Sequence, residues 1–207
     1  MREKNMTESN ETRAITEDQL SKEVREFLSS MVNKSEFRDR IEVLEKQQVL
    51  MNLTIGRDPK TRTWRYYMGM QQQDIVLYVS DELDSIEMMP LPVQYHWAST
   101  DQRRKNHIRI PLLIIELKVN QSATTAQFIT YSKIAEQIRE VHPYCAYFFV
   151  IGGKGTRKVM EETILRQAKG FTRVFLNWEE DKNMIWKDIE NHLTYLKDRL
   201  KLIKEQT

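Results

Sequence analysis

Apolar residues at Leu20, Val24, Phe27, Leu28 and Met31 recur every three or four positions and predict a helix over residues 16–32. Thr16 stands where a cap belongs, with acidic residues in the turn after it. The next stretch, "SEFRDRIEVLEKQQVLM" (35–51), keeps a helical step at Phe37, Ile41 and Leu44 behind Ser35, so a second helix is expected, ending near Gln48. The pattern then changes. "VLMNLTI" (49–55), "TWRYYMGMQ" (63–71) and "DIVLYVS" (74–80) read as three strands, the first two joined by the turn "GRDPKTR" (56–62). "DIVLYVS" is apolar on both faces and belongs inside a sheet. "IRIPLLIIELKV" (108–119) is a fourth strand of that kind. The remainder alternates: helix 124–141, buried strand 145–153, helix 157–169 stopped by Gly170, strand 172–178 and a last helix over 184–205. Its stripe is Ile185, Ile189, Leu193, Leu196, Leu200 and Ile203. This order predicts one α/β domain over 1–207, helices around a mixed sheet, with an N-terminal arm (1–15) and an irregular insertion at 81–107.

Composition narrows the class. The chain is 40% hydrophobic and 30% charged, with 6 Gly and 5 Pro, as in an ordinary folded protein. Its one cysteine, Cys145, lies in the apolar run "YCAYFFVIG", which rules out an internal disulfide and CxxC-type zinc sites and reads as a core residue. No apolar run approaches the ~18 residues of a membrane span, and the polar N-terminus lacks the apolar centre of a signal peptide. A cytoplasmic protein without membrane contact is expected. The net charge is only +2, so nucleic-acid binding must rest on local clusters.

One stretch carries chemistry. "PLLIIELKV" (111–119) has the composition of a buried strand yet ends with Glu116 and Lys118. Strand alternation puts both on one face, after Leu112 and Ile114. Buried charges need partners, and Asp74 begins another core-like strand. If the two strands are antiparallel neighbours, Asp74 and Glu116 meet at one edge. Two adjacent carboxylates repel unless a cation lies between them. Hard oxygen ligands suit Mg²⁺, and a neighbouring lysine can hold or deprotonate a metal-bound water, or steady charge on phosphorus. The kit suits phosphodiester hydrolysis.

Asp74 followed by "IVLYV", and then "PLLIIELK" with Glu116-Leu117-Lys118, resembles the PD-(D/E)xK nuclease superfamily, which includes restriction endonucleases, type I restriction nuclease domains and Holliday-junction resolvases. The likeness covers residues 16–152. It implies a restriction-endonuclease-like core, αβββαβ with further C-terminal helices. It also implies that Asp74, Glu116 and the Leu117 carbonyl ligate Mg²⁺ (or Mn²⁺ in its place) and that Lys118 acts on the attacking water. Relatives add a Glu from the first helix, for which Glu23 and Glu26 stand ahead of Glu36, and a polar residue on the helix after the ExK strand, for which Gln127 is preferred to Tyr131. The chain departs from the pattern in having Gln73, not Pro, before the Asp, and in the long gap between Asp74 and Glu116.

Two basic clusters could read the substrate: Arg57, Lys60, Arg62 and Arg65 around Trp64, and Arg103, Arg104, Lys105 and Arg109 beside His107. "GGKGT" (152–156) is not a Walker loop, because Lys154 is followed by Gly155. The four histidines lack metal spacing. The reading is a Mg²⁺-dependent endonuclease of double-stranded DNA, similar to type II restriction enzymes. It would act as a homodimer, with the last helix as a candidate contact, because cutting both strands of a palindrome calls for two sites. A resolvase, an anti-phage effector nuclease and a non-catalytic nucleic-acid-binding domain are the alternatives.

Overall fold

The computed structural model describes residues 15–80, 110–119, 124–153 and 161–200. The expected insertion at 81–107, and the N-terminal arm apart from Ile15, lie outside these residues. In chain order the elements are α1 (Glu17–Lys34), β1 (Ile41–Arg57), β2 (Trp64–Val79), β3 (Pro111–Val119), α2 (Thr125–Val141), β4 (Ala146–Gly152), α3 (Glu161–Gln167), β5 (Arg173–Phe175) and α4 (Trp178–Leu200). The five strands form one sheet in sequence order. β1, β2 and β3 are antiparallel neighbours, whereas β3, β4 and β5 run parallel. A mixed α/β sheet flanked by helices is therefore what these residues form.

The second expected helix is not there. Ser35 closes α1 instead of opening a new helix: its hydroxyl donates to the Val32 carbonyl at 2.8 Å. After a turn at residues 36–40, Ile41 enters β1. Phe37, Ile41 and Leu44 fit a helical step, but the neighbouring residues decide otherwise. Val43 joins the core on one side of the sheet and Leu44 joins the core on the other, as strand alternation requires. Pairing with the apolar end of β2, Ile41 opposite Val79 through Glu45 opposite Ile75, overrides the local preference. The expected strands 63–71 and 74–80 are one strand, because Gln71, Gln72 and Gln73 continue the ladder opposite Val49, Gln48 and Gln47.

Two apolar layers enclose the sheet. One face packs Ile75, Leu77, Leu113, Ile115, Leu117, Phe148 and Val150 under α1 and α4. The other sets Val76, Ile114, Tyr147, Phe149 and Ile151 under α2 and α3. The stripe of α4 is consumed here: Ile185, Ile189, Leu193 and Leu196 are fully buried against the chain's own sheet. Those four residues are not free for the dimer contact raised from the sequence, and Ile203 of the same stripe lies outside the described residues. Cys145 is a buried core residue, and burial pushes its thiol well above the ordinary range.

Close packing fixes the α2 side. Gly170 follows α3, and a Cβ there would lie 1.8 Å from the Ser132 carbonyl oxygen of α2, so no larger residue fits. Its N–H donates to the Ser132 hydroxyl at 3.0 Å. α2 begins with a capping box built from Thr124 and Gln127, and His142 caps its C-terminal end. Among the described residues, no helix is long and apolar enough to cross a membrane.

Candidate active site

The site is built by register. β2 and β3 place Ile75 opposite Ile115, so one step further Asp74 falls opposite Glu116. On the other edge of β2, Glu45 of β1 pairs with Ile75 and Gln47 with Gln73, so Lys46 falls opposite Asp74. Lys46, Asp74 and Glu116 thus form a row across three strands. Glu116 and Lys118 share the α2 side of the sheet with Ile114. Leu112 does not, contrary to the simple alternation. The register skips a residue between Leu77 and Tyr78, which turns Leu112 into the opposite core.

Contacts around the ExK strand are short. Asp74 Oδ2 accepts the Leu117 N–H at 2.8 Å, replacing a ladder bond with a side-chain bond. Lys118 Nζ lies 3.1 Å from Glu116 Oε1 and donates to the Leu117 carbonyl at 2.9 Å. It also reaches Glu17 Oε2, at 3.5 Å, and sits 4.9 Å from the centroid of the Tyr131 ring. Burial and the neighbouring charge of Glu116 raise the Tyr131 phenol. The Glu116 and Lys118 side chains are only 3% and 6% exposed. Behind them Gln73 is fully buried, its Oε1 accepting from the Tyr147 hydroxyl, while its Nε2 has no partner among the described residues.

Charge counting explains the electrostatics. Buried Glu116 and half-buried Asp74 face one ammonium, which Glu17 also shares, so negative charge is left unmatched. Burial, and then the charge of Asp74, push the Glu116 carboxyl up to about 8, in spite of Lys118 beside it. Burial raises Asp74 as well, against the opposing pull of the Leu117 N–H and of Lys118. Burial alone would lower the Lys118 ammonium, but Glu116 and Asp74 outweigh it and hold it above its ordinary value. Near neutral pH the pair therefore keeps a proton, unless a cation replaces it.

That proton makes folding stability depend on pH. The unfolded chain releases it near the ordinary value of 4.5, whereas the native site holds it to about 8. Across that window the native state binds more protons than the unfolded state, so this site's contribution to stability falls as pH rises, by at most about 1.4 kcal/mol per pH unit. Glu116→Gln, a neutral isostere, is expected to remove this slope. Urea titrations of wild type and variant between pH 5 and pH 8 measure it, and parallel profiles would contradict the assignment.

The other sequence candidates are scattered. Glu23 accepts the Trp178 indole N–H at 2.8 Å and does not reach Lys118; Glu17, in the first turn of α1, does. Glu26 lies beside Arg25, and Glu36 accepts from Lys197. Gln127 turns back to its own helix start, where its Oε1 accepts from the Thr124 N–H and hydroxyl. Arg57, Lys60 and Arg62 are exposed at the tip of the β1–β2 hairpin, with Trp64 and Arg65 opening β2 beside them. Arg103, Arg104, Lys105, His107 and Arg109 lie outside the described residues, as do Lys154, Gly155 and Thr156 of the glycine-rich loop. His142 and His192 bond to the carbonyls of Leu50 and Leu112.

Sequence reasoning missed Glu17 at this centre and preferred Gln127 to Tyr131, which is the one beside Lys118. An acidic residue in a first turn looks like a partner for the helix dipole, and Tyr131 falls on the apolar side of α2. The spacing from Gln127 pointed to this helix but not to which of the two side chains faces β3.

Compared with known proteins, the chain matches no family model and no curated protein. Among the described residues, no three His, Cys, Asp or Glu side chains are grouped to hold a metal. The centre offers two carboxylates and a main-chain carbonyl. That all-oxygen set fits a hard divalent cation that keeps much of its water, and such a cation would supply the missing positive charge. The Glu116 and Leu117 oxygens already face one cation, the Lys118 ammonium.

Proposed function

We propose that the protein is a Mg²⁺-dependent endonuclease of double-stranded DNA with a restriction-endonuclease-like core, most similar in action to type II restriction enzymes and working as a homodimer. The observation that carries this reading is the convergence of Asp74 and Glu116 beside Lys118 at the end of a buried strand. Asp74, Glu116 and the Leu117 carbonyl would hold Mg²⁺, which supplies Lewis acidity and a more acidic bound water when present. In the metal-free site the charges of Glu116 and Asp74 favour the ammonium form of Lys118, which suits it to donate. Its role is to hold the attacking water and to stabilise charge on the phosphoryl oxygens. The Tyr131 ring lies against the Lys118 ammonium, and Glu17 steadies the same ammonium.

The hairpin suits a DNA partner. Ten residues of β2 separate Trp64 from Asp74, roughly 33 Å of strand, close to one helical turn of a duplex. The Arg57, Lys60 and Arg62 tip could contact phosphate while the carboxyls engage the strand to be cut.

The test offers mixed-sequence plasmid, a palindromic duplex and a four-way junction, each with Mg²⁺ or with chelator, followed by sequencing of the ends. Duplex cleavage at one recurrent short site is expected, abolished by chelator. Asp74→Asn should lower the rate by at least about a hundredfold with duplex affinity retained. Cleavage of junctions alone would move the assignment to a resolvase. No Mg²⁺- or Mn²⁺-dependent cleavage of any substrate would leave no nuclease to explain.

A further inference from the structure

Lys46 is strained where a strand would not need it to be. It sits inside the 17-residue β1 with φ of 51°, in the left-handed region that glycine and asparagine adopt readily and lysine does not. The ladder to β2 passes from Glu45 to Gln47 without pairing this residue, directly opposite Asp74; the other break in β1, at Met51, shifts the register, whereas this one does not. The kink is held from both sides. Gln47 Nε2 donates back to the Glu45 carbonyl at 2.7 Å. Glu45 is tied to α1 by the Ser21 hydroxyl at 3.2 Å and by Arg25 Nε at 3.3 Å. Strain supported in this way beside a reactive centre points to a use for the side chain it displays.

That side chain is an ammonium at the rim of the site. Lys46 Nζ contacts Asp18 Oδ1 at 2.9 Å, with the two side chains 56% and 82% exposed. An ion pair so exposed contributes little and exchanges readily for another anion. The neighbouring residue of the same helical turn, Glu17, holds Lys118. The first turn of α1 therefore bridges one lysine inside the site and one outside it. Lys46 also feels the charge of Asp74 across the strand.

We propose that Lys46 is a substrate-contact residue, whose ammonium leaves Asp18 to hold a backbone phosphate of the nucleic-acid strand lying over Asp74 and Glu116. This rests on the nuclease reading and adds to it the residue that seats the strand to be cut. The kink takes Lys46 out of the ladder, and its ammonium reaches Asp18 in the turn of α1 whose Glu17 holds Lys118. A glycine would accept the backbone with less strain but would carry no charge.

The test separates backbone from charge. Lys46→Gly keeps a residue suited to φ of 51° and removes the ammonium; Lys46→Asn, which also tolerates the left-handed region, is the second such variant. Both should melt no lower than wild type and should raise KM for Mg²⁺-dependent duplex cleavage about tenfold, with kcat within about twofold. Loss of one phosphate contact should also make the slope of log affinity against log salt shallower by about one. Lys46→Arg should restore KM. If the glycine and asparagine variants bind duplex with wild-type affinity and salt slope, or melt lower with KM unchanged, Lys46 only braces α1 and the proposal fails. If the wild-type protein neither binds nor cuts duplex, the nuclease reading fails first and takes this inference with it.

Discussion

Lys118→Ala is expected to slow Mg²⁺-dependent DNA cleavage about a thousandfold while leaving duplex affinity nearly unchanged. The ammonium touches Glu116, the Leu117 carbonyl and Glu17, and lies against the Tyr131 ring. Alanine removes the positive charge that buried Glu116 and half-buried Asp74 share. Glu116 and Asp74, already raised by burial, would then hold protons more tightly, and metal binding would have to displace them. The loss should therefore be partly recovered at higher pH and higher Mg²⁺ concentration, although not the part that comes from holding the water. Steady-state rates against pH and Mg²⁺ measure both. Lys118→Arg keeps the charge but is a larger, planar group in a nearly closed space, so it should recover little. A Lys118→Ala enzyme that cut at the wild-type rate would remove this lysine from the chemistry.

Trp178→Ala should produce the largest loss of stability. Trp178 is fully buried at the start of α4, with its ring edge-on to Phe27 at 5.4 Å. It also lies against Gly152 at the end of β4, where an added Cβ would come within 3.2 Å of the Trp178 Cβ. Truncation of a buried indole typically costs about 3–5 kcal/mol, and here it also strips Glu23 of its hydrogen bond. For a chain of this size the melting temperature should fall roughly 10 °C. Trp178→Phe keeps most of the volume and loses the N–H, so its cost should be about 1 kcal/mol. Because Glu23 serves Trp178 and not the carboxyl pair, the phenylalanine variant should cleave at the wild-type rate. Thermal melts of the two variants would show whether volume or the hydrogen bond matters more; equal losses would mean the latter.

The approach of Asp74 to Glu116 was legible because both flanking runs are apolar on two faces, and two such strands have few places to go except the middle of one sheet. Antiparallel neighbours then bring the start of one to the end of the other. The starts of α1 and α2 were legible too, that of α1 through Thr16 as its cap. Residues 35–51 were not, because Phe37, Ile41 and Leu44 satisfy a helical step and only the partner strand reveals that Val43 and Leu44 serve opposite cores. Lys46 carries no local sign of its conformation, since glycine or asparagine would have been the signal. Whether Glu17 or Glu23 reaches Lys118 depends on where α1 lies along β3, which the helix's own sequence does not encode.

The β1–β2 hairpin outruns its support. Among the described residues β3 pairs with β2 only from Ile75 to Tyr78, and Asn52, Leu53 and Thr54 are exposed at successive positions, so β1 meets solvent on both faces there. Its amides should exchange with solvent progressively faster from Asp74 outward, in openings far smaller than global unfolding. Its length is also editable. Removing two facing residues from each strand preserves the alternation of side chains and draws the tip back by about 7 Å. The span between the Arg57–Lys60–Arg62 turn and the carboxyls is thus a gauge whose setting can be changed two residues at a time, without disturbing the core.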